Sequence, residues 1–276
     1  MSRGRRALAG ALFVALAAVT TASVLAAASP PSQRERPTVS DSSSARQASV
    51  LWAVIGHSRQ RRPVVVAQFG AGERRLLVIG GVHGREFGRV VAIRLAKYLA
   101  AHPQAVPPGT RIDVLPCLNP DGAALGRRGN ARRVDLNRNL PTSDWRGVLR
   151  PGDPASRSSN GGSAPSSEPE TQALLHYLRQ GFDAVISLHS QGGFIDFNGP
   201  HARAIALAMS RACGLPLGRI AYQSSITGSL GEYVPVVYGI PVITVELRRA
   251  KLTHGLLAAV TKAAGEAGAL APAARP

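Results

Sequence analysis

Short apolar runs alternate with longer stretches of helical apolar spacing through most of the chain. Val64-Val65-Val66 and Leu76-Leu77-Val78-Ile79 are compact apolar runs close to glycines, and each predicts a strand. From Phe87 to Ala100 the apolar residues Val90, Val91, Ile93, Leu95 and Leu99 fall on one helical face. Ile112 to Leu118 reads as a strand, and Glu170 to Arg179 as a helix opened by Pro169, a residue suited to a first turn. Ala184–Leu188 and Pro241–Leu247 read as strands, Ala202–Ala212 and Leu256–Ala267 as helices. Strands alternating with helices predict one α/β domain over residues 50–270. Its sheet should be mixed, largely parallel and twisted, with helices on both faces. Ligands of such sheets gather at the carboxyl ends of the strands.

The flanks read differently. Arg3, Arg5 and Arg6 precede an Ala-rich apolar run to Ala28, which predicts a signal peptide over residues 1–28 and hence export; an uncleaved membrane anchor is the alternative. Residues 29–49, rich in Ser, Pro, Arg and Gln, read as a disordered linker. Thr142 to Pro169 is a second polar stretch and predicts a long surface loop beside the site. The formal charge of +17 points to anionic partners, for an exported chain wall polymers or acidic peptides. An aromatic content of 5% offers few stacking platforms and argues against nucleic acid. Cys117 and Cys213 read as two buried thiols.

Polar residues with chemical potential sit just after apolar strands. Gly80-Gly81-Val82-His83-Gly84-Arg85-Glu86 places a His and a Glu three apart behind the run ending at Ile79. A catalytic zinc needs three N, O or S ligands and an open position. His189, at the end of Ala184–Leu188, is the third candidate. Glu246 ends Pro241–Val245, where a carboxylate is costly unless paired or functional. Near a metal it would serve as general base and then general acid. Asn119-Pro-Asp-Gly122, Arg128, Asn130 and Val134-Asp-Leu-Asn137-Arg138-Asn139 interleave arginines with amides and a carboxylate, a pattern suited to holding a carboxylate-ended substrate.

In that order, these motifs resemble the zinc carboxypeptidase superfamily over residues 50–250. Within it, the stretches Asn119-Pro-Asp-Gly-Ala-Ala-Leu-Gly126, Val134 to Pro141, Ser167 to Leu174 and Thr227-Gly-Ser-Leu-Gly231 look most like murein peptide amidases. Those enzymes cleave the bond between γ-D-glutamate and meso-diaminopimelate in cell-wall peptides. The resemblance implies one Zn2+ per chain, held by His83, Glu86 and His189. It implies that Glu246 activates water, Arg128 stabilises the oxyanion, and Asn137 and Arg138 hold the substrate's terminal carboxylate. Tyr222 is the candidate for a tyrosine closing over substrate, with Tyr233 its rival. His189-Ser190 looks more like the digestive carboxypeptidases, Leu140 stands where an aromatic is usual and Arg133 where a glycine is usual. The expected activity is hydrolysis of peptides with a free C-terminal carboxylate, on peptidoglycan stem peptides or as a general carboxypeptidase. A zinc deacylase of N-acyl amino acids and an inactive wall-binding module are the competing readings.

Overall fold

The computed structural model describes residues 50–153, 155–190, 192–220 and 226–270. The expected signal segment and linker, and Tyr222, lie outside them. A seven-stranded sheet runs in the order β1-β2-β4-β3-β5-β7-β6, with β1 Leu51–His57, β2 Pro63–Phe69, β3 Arg74–Ile79, β4 Thr110–Leu115, β5 Ala184–Ser190, β6 Phe194–Asn198 and β7 Val242–Leu247. β4, β3, β5 and β7 are parallel to one another. The edges are antiparallel: β1 on β2, β2 on β4, and β6 on β7.

The central strands read as unbroken apolar runs because both of their faces are covered. On one face, Leu76, Val78, Ile186, Leu188, Ile243 and Val245 pack under α1 (Gly88–Ala101), α4 (Ala202–Cys213) and α6 (His254–Leu270). On the other, Leu77, Ile79, Val185 and Val242 pack with α3 (Pro169–Leu178) and α5 (Leu230–Tyr238). A five-residue helix, α2 (Pro120–Ala124), follows β4. The expected α/β sandwich is therefore present, with every predicted strand and helix in place to within a few residues. Three main elements were not legible. β1 is an edge strand whose Leu51, Trp52 and Val54 stay exposed, so it lacks an alternating pattern. β6 is five residues long with Asp196 at its centre. α5 carries Pro235 inside it.

Among the described residues of Thr142–Pro169 no helix or strand forms before Pro169, but the stretch does not simply lie on the surface. Its Asp153 is buried, and Asn160 bridges to Val134. Both cysteines are free and half-buried. Burial raises the Cys117 thiol to about 11. Among the described residues no helix is long and apolar enough to cross a membrane.

Candidate active site

The turn between β3 and α1 carries His83 and Glu86. Gly84 lets this turn press against α2, since a Cβ there would lie 2.0 Å from the Gly122 carbonyl carbon. Asn119 joins the same pieces together. Its side chain caps α2 at Gly122 N (2.8 Å), and its amide nitrogen donates to the carbonyls of Val82 (3.3 Å) and Arg128 (3.1 Å). The Asn-Pro-Asp-Gly motif is thus a clamp between the His83 turn and the Arg128 segment. Asp121 ties that clamp to the β1–β2 turn through Ser58 Oγ (2.7 Å) and Gln60 N (2.9 Å).

His189, on β5, meets this turn. Ligand atoms of His83, Glu86 and His189 lie within 4.8 Å of one another. His83 Nδ1 is 2.8 Å from Glu86 Oε1 and 3.2 Å from His189 Nδ1, which is 3.1 Å from Glu86 Oε2. The far ring nitrogens are also engaged. His83 Nε2 bonds Asp135 Oδ1 at 2.9 Å, and His189 Nε2 bonds Ser187 Oγ at 2.9 Å. The Asp135 carboxylate can only accept, so Nε2 of His83 carries the proton. In neutral His83 the Nδ1 lone pair then points at a carboxylate oxygen and a second imidazole. Such a convergence of electron-rich atoms needs a cation, and two imidazoles, one carboxylate and a side open to the cavity match a catalytic zinc.

The electrostatics agree. Burial opposes a charged His83 and Arg128 adds to that, yet Asp135 and Glu86 prevail and raise it above the ordinary histidine value. Burial would lift the Glu86 carboxyl, but His83 and His189 hold it far below the usual carboxylate range. Asp135, likewise opposed by burial, is held down by Arg128 and His83.

The other expected residues surround a cavity of about 710 Å³ lined by His83, Glu86, Arg128, Asn137, Arg138, His189 and Glu246. Glu246 pairs with His189 in the β5–β7 register, so both side chains rise from the same face of the sheet. Burial raises its carboxyl; His189 counters this and the Glu86 charge adds to it. Arg128 donates from Nε to Asp135 Oδ2 (2.7 Å), and its Nη1 lies 3.4 Å from Glu86 Oε1. Asn137 Oδ1 accepts from Leu230 N at 2.8 Å, which fastens the start of α5 to the cavity wall. Arg138 is only 2% exposed. Its Nε and Nη2 both go to Asp153, and Nη1 donates to the Asn137 carbonyl. It reaches the cavity as a clamped edge rather than as a mobile side chain. Tyr233 packs edge-on to Tyr238 with ring centroids 6.0 Å apart.

Asp135 enters the sequence reading only as the carboxylate interleaved with Arg138 and its amides, without a tie to His83, and Ser187 and Asp153 carry no role in it. Asp135 was visible as a lone carboxylate between two apolar residues, Val134 and Leu136, both of which are buried. Ser187 and Asp153 gave no signal.

Murein peptide amidase A of Escherichia coli (strain K12) is 32% identical over 169 residues, 57% of this chain and 64% of that relative. Mouse carboxypeptidase Z is 35% identical over 174 residues, covering 50% of this chain and 26% of that longer protein. The crystal structure of a murein-tripeptide amidase from Escherichia coli O157 matches with a TM-score of 0.60 at 28% identity, over 82% of this chain and 93% of that one. A sequence model described as zinc carboxypeptidase matches residues 43–257, the stretch that holds the His83 turn, the Asn119 clamp, His189 and Glu246. That match spans well over half of the sequence, and the chain belongs to the zinc carboxypeptidase family.

Proposed function

We propose that the protein is a zinc-dependent hydrolase of peptides with a free terminal carboxylate, and that its preferred bond is that between γ-D-glutamate and meso-diaminopimelate in cell-wall peptides. The observation that carries the reading is the placement of Glu246 beside His189 across the β5–β7 ladder, facing the His83–Glu86–His189 donor set. The finer choice of substrate draws on the likeness to the murein peptide amidases.

Zinc, when bound, supplies a Lewis acid that polarises the scissile carbonyl and makes water easier to deprotonate. Glu246 takes the proton from the attacking water and passes it to the leaving nitrogen. A raised carboxyl suits both halves of that task. Arg128, steadied by Asp135 and Glu86, presents positive charge to the developing oxyanion. Asn137 and the clamped edge of Arg138 receive the substrate's terminal carboxylate. The Arg-led apolar N-terminus supports action outside the cytoplasm.

The test is metal content together with hydrolysis of L-Ala-γ-D-Glu-meso-diaminopimelate and of ordinary C-terminal dipeptides. One zinc per chain with release of diaminopimelate is the expected result. Cleavage of ordinary peptides alone would make the protein a general carboxypeptidase. No zinc and no cleavage would refute the enzymatic reading.

A further inference from the structure

The outer edge of β1 pairs with no strand among the described residues, and the side chains it exposes are apolar. Leu51 is 59% exposed, Trp52 55% and Val54 57%. Edge strands are commonly guarded by a charge or a proline, and neither stands between Leu51 and Gly56. Trp52 pairs with Ala67 and Val54 with Val65, which puts both on the sheet face that α1 covers further in. Beside them that face sinks into an apolar cavity of about 420 Å³ lined by Val50, Phe69, Leu99, Val106 and Pro107. Leu51 carries the apolar edge round to the other face.

The charge carried by this edge has one sign. Between Val50 and Gly72 the chain holds Arg59, Arg61 and Arg62 and no carboxylate. All three sit at the turn from β1 to β2. Arg59 and Arg61 are exposed, and Arg62 pairs with the buried Asp121. The edge also has a definite place in the fold. Its cavity touches Gly72, Gly109 and Thr110, at the amino ends of β3 and β4. The His83–Glu86–His189 donor set lies at the carboxyl ends of β3 and β5, the opposite pole. The chain enters the domain at Val50, behind the Arg-led apolar run to Ala28 and residues 29–49.

We propose that the β1 edge docks on an anionic phospholipid surface. Trp52, Leu51 and Val54 enter the boundary between headgroups and acyl chains, where an indole is favoured, and Arg59 and Arg61 meet the lipid phosphates. The partner's chemistry follows from apolar and basic groups sharing one edge. An anionic wall polymer would satisfy the arginines and leave the tryptophan in water. A second copy would cover the apolar strand but bring together two chains of formal charge +17. A bilayer surface answers both, and the apolar N-terminal run brings the domain to one. So docked, the protein turns its catalytic cavity away from the lipid. The proposal is independent of the hydrolase reading.

The experiment incorporates the full chain into phosphatidylglycerol vesicles whose acyl chains carry bromine, a contact quencher of tryptophan, with brominated phosphatidylcholine vesicles as comparison. The chain has two tryptophans, and the other, Trp145, belongs to the Thr142–Pro169 stretch. Bromine in phosphatidylglycerol should remove the Trp52 share of the emission, and Trp52→Phe should lose that quenching while melting at an unchanged temperature. Arg59→Gln and Arg61→Gln should each lower the docked-to-free ratio about fivefold, the scale of one basic residue at an anionic surface. Val54→Asp should release Trp52 as well. Emission untouched by bromine in phosphatidylglycerol, quenching that survives Trp52→Phe, or equal quenching in the two lipids overturns the proposal. An unquenched protein that sediments as a dimer, and that Val54→Asp makes a monomer, would overturn it too and assign the edge to a second copy.

Discussion

Asp135→Asn probes how the candidate metal ligands are held. The carboxylate is completely buried and serves three donors. Oδ1 accepts from His83 Nε2 (2.9 Å) and Asn137 N (2.9 Å), and Oδ2 accepts from Arg128 Nε (2.7 Å). An amide of the same shape can present its oxygen to only one side. Facing His83 and Asn137, it turns its NH2 against the Arg128 Nε–H, donor against donor. His83 then loses the negative charge that makes its Nδ1 a strong donor, and Arg128 loses an anchor. Removing a carboxylate behind a ligating histidine costs about 10- to 100-fold in metal affinity, and 10-fold corresponds to about 1.4 kcal/mol. The assay is a zinc titration against a competing chelator, with Ser187→Ala as comparison. Ser187 gives His189 Nε2 a neutral hydroxyl partner, so its removal should cost less. If Asp135→Asn binds zinc within about threefold of the unmodified protein, the tie between Asp135 and His83 does not govern the metal site. A loss no larger than that of Ser187→Ala would refute the charge argument in particular.

Four further outcomes are expected. Glu246→Gln should keep its zinc and lose about 10²- to 10⁴-fold in turnover; near-normal rates would remove Glu246 as the base. Arg138→Ala strands the buried Asp153, so denaturant melts should show a loss of about 3–5 kcal/mol in addition to poorer use of substrates with a terminal carboxylate. Gly84→Ala drives a Cβ into the Gly122 backbone, and both thermal stability and zinc content should fall together. The Cys117 thiol rises from its ordinary 9 to about 11, so iodoacetamide at pH 8 should label it slowly in the folded protein and quickly in urea. Because the fold favours the protonated thiol, this group contributes nothing pH-dependent well below 9, and it erodes stability as pH rises from 9 towards 11.

The Arg138–Asp153 pair shows where sequence reasoning stops short. Asn137-Arg138 was legible as a carboxylate-binding pair, and both residues do line the cavity. That Arg138 is locked by Asp153 was not legible, because the two are 15 residues apart across a stretch without periodicity. Tyr222, expected to close over substrate, lies outside the described residues.

The sequence by itself determined the α/β class, the central strands and the three candidate metal donors that the fold brings together. Hydrophobic burial on both sheet faces forces unbroken apolar runs, and a polar residue that ends such a run stands out against them. The tertiary structure decided which polar residues meet. His83 and His189 are 106 positions apart in the chain, yet their Nδ1 atoms are 3.2 Å apart because β3 and β5 are neighbours in the sheet. The β5–β7 register set Glu246 against His189. Strand order and register are chosen by the packing of whole faces, and no local stretch of sequence encodes them.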